Sequence, residues 1–156
     1  MFSLWILINF NESLILVMKT LIPPELAPCG VWCGACPSFK KTCLGCASEN
    51  SKQKRLSKWD CRIRVCAYDK EKVEFCMDCG KFPCQIHDAK LGKSHEEDPR
   101  FNYRHEIREN FNRLKEFGQE KYILYQQERY ACGECGGQIY FYHYTCSQCG
   151  RKQQVE

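Results

Sequence analysis

Two motifs, Cys132-x2-Cys135 and Cys146-x2-Cys149, separated by ten residues, constrain this chain more than any other feature. Thiolates three positions apart reach one ion only if the backbone folds tightly around it. The glycines flanking each pair (Gly133, Gly136 and Gly137, then Gly150) permit the positive φ angles such a knuckle needs. Between the pairs, Gln138-Ile139-Tyr140-Phe141-Tyr142 is rich in β-formers. Two knuckles joined by a hairpin describe a zinc ribbon, so Cys132, Cys135, Cys146 and Cys149 are assigned to one tetrahedral metal. The spacer is shorter than the roughly 15–20 residues of the commonest ribbon pattern, yet a short hairpin fits within it.

The chain has 14 cysteines in 156 residues, the density of a short chain stapled by disulfides or by metal. Disulfide scaffolds belong to secreted chains, metal scaffolds to reducing compartments. The N-terminus shows no basic stretch before its apolar run and no small-x-small cleavage site ahead of Cys29. The close C-x2-C pairs also suit one ion better than bridges across a fold. Metal is therefore the expected staple and cytoplasm the expected compartment.

Ten cysteines precede the ribbon, in residues 28–84. They read C-x3-C-x2-C at Cys29, Cys33 and Cys36, then C-x2-C at Cys43 and Cys46. Cys61 and Cys66 follow, then C-x2-C at Cys76 and Cys79, and finally Cys84. The simplest partition takes Cys33, Cys36, Cys43 and Cys46 as one site and Cys61, Cys66, Cys76 and Cys79 as another. Cys29 and Cys84 are left over, as free thiols or as members of an interleaved arrangement. Large apolar residues are few and scattered here, and a segment of this size seldom gains more than about 3–5 kcal/mol from such a core. A structural zinc contributes about 10–16 kcal/mol of apparent binding free energy, which is folding free energy. About three zinc ions are expected in all. Cys29-x3-Cys33-x2-Cys36 shares its spacing with radical S-adenosylmethionine enzymes, but the chain is too short for their barrel. A plain [4Fe–4S] cluster in residues 29–84 is the alternative cofactor.

Residues 85–130 contain no cysteine and read as two helices. Asp98-Pro99 is a start signal, and Tyr103, Ile107, Phe111 and Leu114 fall on one helical face. Gly118 breaks the pattern, which resumes over Gln119 to Arg129. The expected fold class is a small metal-stapled α+β protein. It comprises an irregular cysteine-rich module over 28–84, the helical segment over 85–130, and a ribbon hairpin over 131–150. Residues 1–17 are apolar but interrupted by Asn9, Asn11, Glu12 and Ser13, a poor match to a spanning helix. They read as a packed element or as an over-extended start ahead of Met18, with a membrane anchor the weaker alternative.

Taken in order, the motifs resemble a small cysteine-rich family of bacterial and archaeal proteins catalogued as a domain of unknown function. The matching pieces are the stretches at 29–39, 43–46, 61–67 and 73–84, then Tyr-Arg-His-Glu-Ile at 103–107 and the ribbon. Tyr130 and Gly133 stand where similar proteins often carry tryptophan and proline. The resemblance implies zinc binding and adds no reaction.

No Ser-His-Asp set, phosphate-binding glycine loop or HExxH is present, so an enzyme is the less favoured reading. His87, three residues beyond Cys84, has a spacing that lets both hold one metal. A non-enzymatic module binding a protein or a nucleic acid comes first, and an iron–sulfur redox or maturation factor second. Another protein is the favoured partner. Aromatics on the ribbon arm (Tyr140, Phe141, Tyr142, Tyr144) suit unpaired bases, but on a short hairpin they more often pack on a helix, here the Tyr122 to Tyr130 stretch. Charge argues the same way. The formal net charge is +4, but three four-cysteine zinc sites would move it to about −2. The metal-loaded chain should therefore bind nonspecific duplex DNA weakly and lose it with added salt. Tight sequence-specific binding at physiological salt in a titration would reverse the preference for a protein partner.

Overall fold

The computed structural model describes residues 22–155; the apolar segment 1–17 and the alternative start at Met18 lie outside the described residues. Turns and short helices make up the cysteine-rich module. A 3-10 turn spans Cys33–Ala35 and another Cys76–Asp78. Between them lies α1, Arg62–Val65, which runs on as a π turn over Cys66–Lys70. Helix α2, Gln85–His87, is extended in the same way by a π turn over Asp88–Gly92.

Asp98 starts the helical segment as its sequence suggests: its carboxylate accepts the Arg100 N–H at 3.1 Å, and Pro99 opens a 3-10 turn to Phe101. Helix α3, Asn102–His105, leads into α4, Ile107–Arg129. Helix α4 is not straight, because Gly118 sits at φ 76°, ψ 167°, outside helical space. Twenty-three residues of continuous helix would hold its ends about 35 Å apart. Instead Arg129 donates to Glu106 at 2.8 Å, the Gln126 amide donates to the Asn110 side chain at 3.2 Å, and the Phe117 and Tyr125 rings lie 5.9 Å apart. These contacts fold 119–129 back along 107–117 as a helical hairpin.

One face of this hairpin carries the core. Tyr103, Ile107, Phe111 and Leu114 are each no more than 6% exposed. Leu26, Trp32 and Phe75 of the cysteine-rich module join them in one apolar cluster, as do Tyr130, Ile139 and Phe141 next to and within the ribbon. Trp32 meets Tyr122 edge-on at 6.4 Å, and Phe82 meets Phe111 edge-on at 5.3 Å.

The ribbon hairpin pairs β1, Ile139–Tyr140, with β2, Thr145–Cys146, antiparallel. Its strands are shorter than the run of β-formers suggests because Phe141 leaves the ladder. The Phe141 N–H donates to the Ala35 carbonyl at 2.9 Å, and its ring stacks on Tyr103 at 4.1 Å. Tyr142 packs edge-on against Phe101 and Tyr103, and the Tyr144 hydroxyl accepts the Tyr103 N–H at 3.3 Å. The arm therefore docks on α3, and from the stretch named by the sequence Tyr130 meets Phe141 edge-on.

Gly118 is the test of the helical hairpin. A Cβ there meets nothing within 4 Å, so substitution strains the backbone alone. Its φ and ψ belong to a region essentially reserved for glycine. Gly118→Ala should cost about 1–3 kcal/mol in urea unfolding, with the metal content unchanged. An unshifted midpoint would mean that the turn is made another way.

Candidate metal centre

The two ribbon knuckles repeat one backbone. In each, the glycine after the second cysteine donates its N–H to the first cysteine's carbonyl: Gly136 to Cys132 at 2.8 Å, Gly150 to Cys146 at 3.1 Å. Both glycines sit at φ 71°, where a side chain would be strained. Cys132 and Cys149 sulfurs lie 3.7 Å apart, Cys135 and Cys146 sulfurs 3.5 Å. All four Sγ atoms fall within 4.8 Å of one another. A tetrahedral zinc with bonds of about 2.3 Å would set its sulfurs about 3.8 Å apart, so little movement separates this cluster from a metal site. A disulfide would need about 2.05 Å.

The cluster is half open, with Cys132 and Cys146 buried and Cys135 and Cys149 exposed. Cys146 is poised toward the thiolate. The amides of Cys149 and Gln148 point at its sulfur and lower its pKa to about 6. Cys135 accepts from the Gly137 amide, which lowers its pKa. Bonding to its cysteine neighbours outweighs that effect and sets it at about 11.

The ten earlier cysteines are arranged less tightly. Among the described residues, the ribbon thiols are the one set of candidate ligands gathered this closely. Cys33 and Cys43 are buried and the other eight half-buried. Bonding to Cys33, then the charges of Lys58, Arg64 and Arg55, lower the Cys46 thiol to about 6. Cys33 is raised by that same bond and by burial, Cys29 by burial and then by Cys46. Burial raises Cys76 to about 12, with Cys84, Cys66, Cys79 and Cys61 adding in that order.

Lys58 and Arg64 escaped the sequence reading. Both are about 5% exposed or less. Lys58 donates to the carbonyls of Gly45 (2.8 Å) and Ser48 (2.5 Å), and Arg64 to that of Cys46 (2.9 Å). Lys90 stands 3.3 Å from the Cys61 sulfur and Arg55 4.0 Å from that of Cys36. A buried cation shows in sequence only through its surroundings, and Arg62-Ile63-Arg64 reads as an ordinary helix.

The histidines serve the frame. His87 is buried, and its Nε2 is within hydrogen-bond distance of the Cys29 carbonyl at 2.9 Å; burial holds its pKa below the usual value. His105 Nε2 is 3.0 Å from the Ser94 carbonyl, His95 packs on Phe101, and His143 is exposed.

Fold and site define a small cysteine-rich α+β protein whose C-terminal cysteine cluster has the geometry to hold a metal ion. Residues 38–89 match the family model described as Protein of unknown function (DUF3795), so the resemblance to a cysteine-rich family of unknown function holds over that stretch. No curated protein and no solved structure matches the chain.

The ribbon should depend on its metal. Cys135→Ser removes one of four thiolates and should abolish metal binding there, together with amide protection over 131–150, while metal in the first module stays. Full metal content with unchanged hydrogen exchange would remove Cys135 from the site.

Proposed function

We propose that the chain is a zinc-stapled, non-enzymatic module of a reducing compartment, the cytoplasm, that recognises another protein. The observation carrying the reading is the packing of the ribbon arm. Phe141 is buried on Tyr103, and Tyr142 and Tyr144 are engaged with α3, so these rings are withdrawn from the base stacking that unpaired nucleic acid would need. The more exposed apolar side chains lie elsewhere. Among the described residues they are Leu124 on α4 and, in the cysteine-rich module, Leu44 and Leu56, the latter following the exposed Lys52, Lys54 and Arg55 in the chain. An exposed leucine next to cations in the chain, as at Leu56, suits an acidic, amphipathic protein segment.

Metal in the first module is supported by its cations. Burying Lys58 and Arg64 is costly unless negative charge lies nearby. Arg64 pairs with Glu49, which is itself largely exposed. Thiolates on a metal supply the remainder, since a four-cysteine zinc site carries a net charge of about −2. None of the fourteen cysteines is joined in a disulfide. Among the described residues, no helix is long and apolar enough to cross a membrane.

Anaerobically purified protein should be colourless and return about three zinc ions per chain on elemental analysis. A brown protein absorbing near 400 nm would replace zinc in residues 29–84 by an iron–sulfur cluster. A photoreactive residue at position 56 should crosslink protein in cells; nucleic acid crosslinked at Tyr140 instead would overturn the choice of partner.

A further inference from the structure

The cysteine-rich module contains a hydrogen-bonded junction that the simplest partition of its ligands does not explain. The Cys76 N–H donates to the Pro28 carbonyl at 2.8 Å, and His87, three residues after Cys84, bonds the next carbonyl, Cys29, at 2.9 Å. Two adjacent carbonyls thus draw the Cys76–Cys79 knuckle and α2 together. Within the intervening loop, the Phe82 N–H donates to the Cys79 carbonyl at 3.0 Å, turning the chain back toward Cys84. Cys84 then caps α2, its carbonyl accepting the Asp88 N–H at 2.9 Å.

The end of α1 is tied to the same place. The Glu71 N–H donates to the Cys66 carbonyl at 2.9 Å. The Glu71 carboxylate reaches Lys81 at 2.6 Å and lies 3.8 Å from the Cys79 sulfur. Cys66 is thereby held beside the knuckle.

Cys61 is placed differently. It stands at the N-cap of α1, five residues before Cys66, with Arg62–Val65 helical between them. Five helical steps rotate a side chain by about 140° net, so the two thiols leave α1 on different sides. The Cys61 sulfur meets Lys90 at 3.3 Å instead.

We propose that Cys66, Cys76, Cys79 and Cys84 form one four-thiolate metal site, and that Cys61 belongs outside it. This rests on the reading of the first module as metal-bound and changes its ligand set. Cys84 becomes a ligand, and Cys61 is released to the cysteines around Cys46. Four thiolates with no open position make the site structural, suited to zinc.

Pairs of substitutions test the set by elemental analysis of the full chain, with the ribbon metal as the check that each variant has folded. Cys84→Ser should lose about one ion, and Cys66→Ser with Cys84→Ser should lose no more, because both remove the same site. Cys61→Ser alone should leave that ion in place, still released only when Cys84 is also changed. Full metal retention by Cys84→Ser, or loss of the Cys76-bound ion in Cys61→Ser, overturns the set. Should the variants fail to fold, alkylation mapping of the unmutated metal-loaded chain decides. On gradual chelation Cys66, Cys76, Cys79 and Cys84 should become labelled together, and labelling of Cys84 ahead of the other three overturns the proposal. A wild-type chain with metal in the ribbon alone would overturn the metal reading of the module itself, and the ligand set with it.

Discussion

The apolar face formed by Tyr103, Ile107, Phe111 and Leu114 is the one continuous surface on which both cysteine-rich parts can bury themselves. Neither part has a core of its own. The first module contributes single side chains such as Trp32 and Phe75, and the ribbon contributes Ile139 and Phe141. The face exists because Gly118 lets the helical segment fold back, so that Gln126 and Arg129 brace Asn110 and Glu106 from behind. A straight helix would present the same residues without support. The bond from Phe141 to Ala35 then links ribbon and first module directly.

Knuckle geometry and apolar burial divide the work by scale. Apolar packing sets where the modules lie, since a shared helical face is non-directional and tolerant of loop shape. Four bonds to one ion would demand a particular backbone within each knuckle, and the ribbon cysteines have the geometry for it. The ribbon shows this: Gly136 and Gly150 make equivalent turns in two unrelated stretches of sequence. Charge couples the two scales in the first module. Lys58 and Arg64 are buried against the loop that carries Cys46, and their burial is reasonable only beside an anionic partner.

Much of this was legible along the chain. The four ribbon cysteines that meet were marked by two identical spacings, and local spacing governs whether two thiols can share an ion. The Asp98-Pro99 start, the face from Tyr103 to Leu114 and the break at Gly118 follow from capping, periodicity and glycine's freedom, which are properties of a few neighbouring residues. The resemblance to a cysteine-rich family of unknown function was also carried by contiguous motifs, and the match over residues 38–89 rests on the same stretch.

What the sequence could not decide depends on separations of tens of residues. Whether the break at Gly118 kinks or reverses the helix was settled by contacts such as Glu106 with Arg129. The aromatic arm was assigned to a helix, but its choice of Tyr103 rests on a hydrogen bond between Phe141 and Ala35, more than a hundred residues apart in the chain. The neighbours of each early cysteine, and the buried cations beside them, likewise come from loops brought together only in three dimensions. The sequence by itself determined which residues can bind metal, because that is a matter of side-chain chemistry and short-range spacing. Only the tertiary structure decided which of them meet, because that is a matter of where a shared apolar face holds the chain.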